Sequence, residues 1–162
     1  MNARRQSGHT LLELLVVLVI MSILAGIVIP AATVDSERKL DTLQLSIQDA
    51  INFAQAQSYN KGAPFGVRFD VDGQWYAVVN ENGVPIADPL SKGDYLIRLS
   101  GPDMPGNIHL DYAMYGPRPL AAFDEKGVLI EGGEIHIRAG DTERWLTMDT
   151  ATATLMEIPV SP

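Results

Sequence analysis

The sequence predicts an α+β fold in which a long N-terminal helix, membrane-spanning in its first half, packs on a β-rich globular head. Three observations lead to this prediction. Residues 11–29 are almost wholly apolar, and residues 31–59 carry apolar side chains at spacings of three and four. The remainder consists of short alternating runs separated by Gly, Pro, Asp and Asn. A chain of 162 residues suits one small domain with an anchor.

The apolar run is long enough to cross a membrane. As a helix rising about 1.5 Å per residue, some 19 residues cover about 30 Å of hydrocarbon. Arg4 and Arg5 precede the run, so the positive-inside rule places the N-terminus in the cytoplasm and the rest of the chain beyond the inner membrane. A convincing small-x-small cleavage site does not follow the run, which therefore stays attached as an anchor.

Glu13 is the unusual residue of this run. A carboxylate inside a membrane segment costs several kcal/mol by most estimates, roughly 3 on insertion scales, and usually has a function. A local alternative also exists, because Thr10 and Glu13 match a capping box that satisfies free N–H groups at a helix start. Both interpretations remain open on sequence grounds.

Gly8, followed by the apolar run with Glu13 five residues later, resembles the leader of type IV pilins and type II secretion pseudopilins. The resemblance implies cleavage between Gly8 and His9 by a prepilin peptidase, followed by N-methylation of His9. It also implies that Glu13 pairs with the N-terminal amine of a neighbouring subunit, and opposite charges do attract strongly at low dielectric. His9 stands where the family usually has Phe or Met.

This resemblance divides the chain into four segments. Residues 1–8 form a leader, residues 9–30 a transmembrane and assembly helix, residues 31–62 its amphipathic second half, and residues 63–162 a periplasmic head. Pro30 is expected either to bend the helix or to mark an ordinary helix end. The amphipathic half is expected to pack as core rather than to form a partner groove, and Gly62 to cap it in a left-handed conformation. Its apolar stripe consists of Leu40, Leu43, Ile47, Ala50, Ile51, Ala54 and Ser58.

The head is predicted to be built from short strands. Asp72-Gly73 lies between two such runs and predicts a hairpin, although residues 70–73 also match the start of a calcium loop. In residues 134–138, alternation places Ile135 and Ile137 inward and His136 towards solvent. The predicted strands are 65–71, 74–79, 95–99, 120–123, 127–130, 134–138, 144–148 and a closing edge strand at 154–158.

Two head segments resemble H-type minor pseudopilins, the GspH/FimT group. One is the first hairpin, residues 66–79, and the other is Phe123-Asp124-x-x-Gly127 followed by Gly133-x-Ile135. With the leader, the resemblance covers nearly the whole chain.

Composition limits the chemistry available. The chain has no cysteine, which excludes disulfides, thiolate chemistry and Cys-based metal sites. We predict no catalytic, cofactor-binding or metal-binding residues, with His109 beside Asp111 as a weak metal alternative. The formal net charge of -8 disfavours nucleic-acid binding, which needs Lys and Arg to neutralise phosphates.

The resemblance therefore implies a minor pseudopilin, a non-enzymatic subunit of the type II secretion pseudopilus. Its expected partners are other pseudopilins, the prepilin peptidase, the inner-membrane assembly platform, membrane lipid and the exported cargo. A second hypothesis is a FimT-like minor type IV pilin that acts in pilus assembly or DNA uptake, although the last dozen residues contain no Lys or Arg. A third is a periplasmic enzyme or ligand-binding domain on an ordinary anchor, for which the sequence offers no site.

Overall fold

The computed structural model describes residues 11–91, 93–102 and 104–159 and divides into two compact units, residues 1–35 and 36–162. Helix α1 contributes residues to both units. In chain order the elements are α1 (Leu11–Lys61), β1 (Phe65–Asp70), β2 (Trp75–Asn80), β3 (Leu96–Arg98), β4 (Ile108–Tyr115), β5 (Leu120–Phe123), β6 (Gly133–Ala139), β7 (Thr142–Met148) and β8 (Leu155–Ile158).

The first unit consists of helix throughout its described residues, 11–35. The helix continues past Pro30, so the expectation of an ordinary helix end at this residue is wrong. A proline removes one N–H donor, and the hydrogen bonds on either side of it can keep a long helix intact. The alternative that Pro30 bends the helix stays a prediction, because the side chains of residues 23–33 lie outside the described part.

The described strands of the second unit form two four-stranded sheets with every pairing antiparallel. The first sheet has the order β3-β2-β1-β5 and the second the order β4-β6-β7-β8. Strands β1 and β2 form the predicted hairpin, and Asp70 Oδ1 accepts a hydrogen bond of 2.5 Å from the Gly73 N–H in its turn. The hairpin interpretation of residues 70–73 is therefore confirmed.

The helical part of the second unit supplies one side of the hydrophobic core. Every residue of the predicted stripe is at most 1% exposed, so its interpretation as core is confirmed. Buried residues of both sheets belong to the same cluster, including Phe69, Tyr115 and Ile137. Because each buried Leu, Ile or Phe contributes about 1.5–3 kcal/mol, this packing holds the helix to the sheets.

The end of the helix confirms the predicted cap and explains the polar residue in the stripe. Gly62 adopts a φ of 60°, and its N–H donates to the Ser58 carbonyl oxygen at 2.9 Å. Ser58 is fully buried, and its hydroxyl oxygen accepts a 3.0 Å hydrogen bond from the Phe65 N–H at the start of β1. This serine therefore ties the helix end to the first strand.

One prediction in the head is wrong, and one observed strand lies outside the predicted set. Residues 127–130 form a turn with only an isolated bridge between Phe123 and Leu129, because Gly127 has a φ of 74° and Asp124 Oδ1 accepts the N–H groups at positions 126 and 128. Strand β4 was not among the predicted strands, since a bulge at residues 110–112 breaks its alternation.

A side chain occupies part of the free edge of β4. The Leu110 N–H donates to Gln74 Oε1 at 3.0 Å, and Gln74 Nε2 donates to the Leu110 carbonyl oxygen at 2.8 Å. Further along the same strand, Tyr115 exchanges backbone hydrogen bonds with Arg118. The amide of Gln74 thus occupies a position where a neighbouring strand would otherwise pair.

Candidate functional site

The predicted processing site lies outside the described residues. Gly8, His9 and Thr10 all precede residue 11, so cleavage, N-methylation and the capping box stay predictions. Glu13 is described and lies in the first turn of α1, where its side chain is exposed. A carboxylate at this end of a helix meets the positive end of the helix dipole.

An apolar surface follows Glu13 directly. Residues 14–21 are all Leu, Val, Ile or Met, and their exposed fractions run from 46% to 66%. Eight consecutive residues make more than two turns, so the whole circumference of the helix is apolar here. The Ser22 hydroxyl donates a hydrogen bond of 2.8 Å to the Leu18 carbonyl oxygen of the same helix. No helix within the described residues is long and apolar enough to cross a membrane.

Four polar side chains of the second unit surround Arg144 on β7. Its side chain is only 9% exposed. Nη1 donates to Asp41 Oδ1 at 2.8 Å and to Gln44 Oε1 at 2.9 Å, and Nη2 donates to Glu37 Oε2 at 2.7 Å. Glu157 Oε2 lies 3.5 Å from Nε. Burial alone would lower the pKa of Arg144, but the bonds to Asp41 and Glu37 outweigh burial and raise the pKa.

Arg138 is also engaged with a carboxylate. Its Nε donates to Asp111 Oδ2 at 2.8 Å and its Nη2 to Asp111 Oδ1 at 3.2 Å. The hydrogen bond from Arg138 lowers the pKa of Asp111 below its usual value. Because Asp111 is held in this bidentate pair, the alternative of a metal site with His109 gains no support. Among the described residues, no group of three or more His, Asp and Glu side chains is placed to hold a metal ion.

Both the N-terminal residues and the fold of this chain are similar to those of known proteins. Residues 3–29 match the family model of the prokaryotic N-terminal methylation motif. No curated protein sequence gives a significant match. The minor pseudopilin EpsH from the type 2 secretion system of Vibrio cholerae is similar in structure, with 16% identity and a TM-score of 0.52 over 73% of this chain and 94% of that one.

The type IV minor pilin FimU of Pseudomonas aeruginosa strain PAO1 is similar to the same degree. Its identity is 16% and its TM-score 0.52, over 76% of this chain and 90% of that one. The fold is pilin-like. The predicted α+β fold, a helix packed on a β-rich head, and the predicted type IV pilin-like character are confirmed by the motif and these two structures. The membrane-spanning part of the fold prediction stays a prediction. At 16% identity, the two structures show the fold and not the role.

One prediction for the pilin-like head needs correction. His136 lies on the outer side of its sheet, but its side chain is only 13% exposed and does not simply face solvent. Its ring stacks on Trp145 with centroids 4.4 Å apart, and Nε2 lies 3.1 Å from Glu143 Oε2. His136 and Trp145 are cross-strand partners in the β6–β7 pairing. Local alternation does not determine the register that brings them together, so this stack could not be predicted from the pattern of residues 134–138.

Proposed function

We propose that this chain is a minor pseudopilin, a non-enzymatic structural subunit of the type II secretion pseudopilus that takes part in protein export across the outer membrane. The observation that carries the proposal is the methylation motif at residues 3–29, which overlaps an exposed, all-round apolar helix surface at residues 14–21. Such a surface needs lipid or other apolar helices around it, and a pilin-like subunit meets both in turn.

The proposed mechanism is assembly rather than turnover. Residues 9–30 span the inner membrane with the N-terminus in the cytoplasm and the head in the periplasm. The prepilin peptidase cuts between Gly8 and His9, methylates the new terminus, and the assembly platform extracts the subunit. Apolar helix surfaces then stack against neighbouring subunits, and Glu13 pairs with the amine of one of them. Outside water, this pair sets the register because either charge alone would be strongly disfavoured.

A minor type IV pilin is the second candidate, and the equal similarity to FimU favours it as much as the similarity to EpsH favours the first. DNA uptake receives less support than pilus assembly. The chain carries a net charge of -8, and Arg138 and Arg144 are both held by carboxylates. DNA capture needs cationic groups that are available to phosphates.

The first test is the intact mass of the protein isolated from host cells with and without the prepilin peptidase. We expect peptidase-dependent loss of residues 1–8 and an added methyl group on His9. An uncut chain in cells that contain the peptidase, or a cut after residue 29, would contradict the proposal. Cleavage without the added methyl group would overturn only the methylation step.

The second test separates the two fibre systems. In a host that has both, removal of the gene is expected to reduce secretion of exported proteins into the medium and to leave surface pili unchanged. Loss of pili with normal secretion would instead identify a minor type IV pilin. Re-expression of the intact chain is the control, because it restores whichever process depends on this subunit.

A further inference from the structure

A groove crosses the outer face of the first sheet, on the side away from the core. Its floor is formed by Gly66, Val79 and Ala122, which are register partners on three adjacent strands. Two cavities of about 240 and 210 Å³ meet there and share Val79, Arg118 and Leu120 among their lining residues. They are therefore adjacent on this face, and the groove is the surface that they line together along β1 and β5.

The groove has depth at position 66 because Gly66 has no side chain to fill it. A Cβ atom at this position would lie 2.6 Å from the Ala121 carbonyl oxygen and 3.1 Å from the Leu120 side chain. No other residue type therefore fits without a shift of the strand. Gly66 and Val79 are themselves buried, and the half-buried side chains of Leu120 and Ala122 supply apolar surface that is accessible from outside. Ile130, which is 55% exposed, extends the apolar lining at one end.

Two arginines stand over this apolar floor. Arg68 and Arg118 are both exposed and both line the 240 Å³ cavity. Within the described residues neither guanidinium has a carboxylate at ion-pair distance, unlike Arg138 and Arg144. Glu81 is the acidic residue in the lining, and it belongs to the 210 Å³ cavity rather than to the one that both arginines line. The groove therefore offers two arginines that have no ion pair among the described residues, in a chain of net charge -8.

We propose that this groove binds an extended segment of another protein that carries a carboxylate beside an aliphatic side chain. A guanidinium presents paired N–H donors that match a carboxylate, and charge-assisted bonds of this kind are the stronger ones. The apolar floor takes the aliphatic neighbour. An extended chain directs successive side chains to opposite sides at about 3.3 Å per residue, so alternate residues of one segment reach the floor.

Charge and shape favour a peptide over DNA. Affinity for duplex DNA grows with the number of phosphates that are neutralised, and two arginines on an acidic body supply few. A phosphate backbone would also leave the apolar floor uncovered. The groove lies on the head, is independent of the N-terminal motif, and gives the subunit a lateral binding surface beyond its proposed part in fibre assembly.

The test uses the full chain in detergent micelles and a fluorescein-labelled peptide of alternating glutamate and leucine. Fluorescence anisotropy is expected to show saturable binding to the unmodified chain. Arg118→Gln and Arg68→Gln are each expected to weaken binding about tenfold, since a charged hydrogen bond contributes about 1.5 kcal/mol or more. The matched control is Arg98→Gln, which removes an exposed charge from β3 outside the groove and is expected to leave binding within about twofold.

A second variant tests the floor without a change of charge. Ala122→Leu fills the groove and is expected to weaken peptide binding while the melting temperature stays close to that of the unmodified chain. A peptide of alternating glutamine and leucine is expected not to bind. The proposal is overturned by equal binding of this peptide, by an equal loss in Arg98→Gln, or by no binding of the acidic peptide at all. Tighter binding of a labelled DNA duplex, or blockage by self-association of the chain, would assign the groove to that occupant instead.

Discussion

Arg144 Nη1 donates a 2.8 Å hydrogen bond to Asp41 Oδ1, joining strand β7 to helix α1 across 103 residues of sequence. The same guanidinium holds Glu37, Gln44 and Glu157. Its side chain is 9% exposed, whereas the three carboxylates are each more than half exposed. One buried cation therefore offsets part of the charge of three carboxylates at the junction of helix and sheet.

Replacing Arg144 with Ala is expected to lower the free energy of unfolding by about 2 kcal/mol. The variant leaves three neighbouring carboxylates without their cation, and water around them limits the loss. Urea denaturation at neutral pH measures the change. Arg98→Ala is the control, because Arg98 is exposed and has no ion pair among the described residues. A loss for Arg144→Ala no larger than that for Arg98→Ala would contradict this account.

Two buried tyrosines are expected to respond oppositely to the loss of their hydroxyl groups. Burial raises the pKa of both Tyr76 and Tyr115. The Tyr76 hydroxyl forms a 2.6 Å hydrogen bond with Ser46 Oγ, whereas the Tyr115 hydroxyl has no hydrogen-bond partner among the described residues. We expect Tyr76→Phe to lose about 1 kcal/mol of stability and Tyr115→Phe to gain up to about 1 kcal/mol.

Thermal unfolding of the two variants provides this comparison, and each serves as the other's control. Both changes remove one oxygen from a fully buried ring, so differences in volume cancel. A loss in Tyr115→Phe as large as in Tyr76→Phe would show that the Tyr115 hydroxyl is satisfied in solution.

The Asp111–Arg138 pair is expected to make stability depend on acid pH. Because Arg138 lowers the pKa of Asp111 in the folded state, the unfolded chain takes up this proton more readily. The pair therefore stabilises the fold above the ordinary Asp pKa of about 3.9, and its contribution is lost as pH falls through the lower, folded-state pKa. Asp111→Asn should melt below the unmodified chain at pH 7, and this difference should shrink at strongly acid pH.

Melting temperatures followed by circular dichroism at several pH values measure this effect. Glu125→Gln, a change at an exposed turn residue without an ion pair among the described residues, is the control. A gap between Asp111→Asn and the unmodified chain that stays constant down to strong acid would rule out the pair as its source.

Glu13→Ala is expected to leave cleavage of the leader intact and to abolish incorporation into fibres. The proposed partner of Glu13, the new N-terminal amine, exists only after cleavage. Sheared fibres and intact mass separate the two steps. Ser22→Ala is the control, since the Ser22 hydroxyl donates to the Leu18 carbonyl oxygen of its own helix and its loss should preserve assembly. Normal incorporation of Glu13→Ala would remove this residue from the mechanism.

Periodic burial is what the sequence could predict. The stripe from Leu40 to Ser58 and the inward pair Ile135 and Ile137 are all buried, because each repeats at the period of its own element. The apolar run at residues 127–130 predicted a strand by the same kind of pattern, and this prediction was wrong. Val128 and Ile130 are 54% and 55% exposed, so these apolar residues sit on a turn rather than in a strand.

Contacts between distant residues could not be predicted. Arg144 binds two acids of α1, Asp41 and Glu37, which lie 103 and 107 residues before it in the sequence. No local pattern connects residues so far apart. The stack of His136 on Trp145 depends on the β6–β7 register, and the closure of β4 depends on where the Gln74 side chain reaches. Such relationships follow from the tertiary fold, which a single sequence specifies only through all of its residues together.

The amide of Gln74 also bears on how subunits of this kind can be stored. It closes part of the free edge of β4, the longest edge strand, and the other edge strands β3, β5 and β8 have only three or four residues. A crowded pool of monomers then has little exposed backbone through which one sheet could continue into the next. Association by strand addition is therefore disfavoured, which is consistent with the proposed assembly through the helices rather than through the sheets.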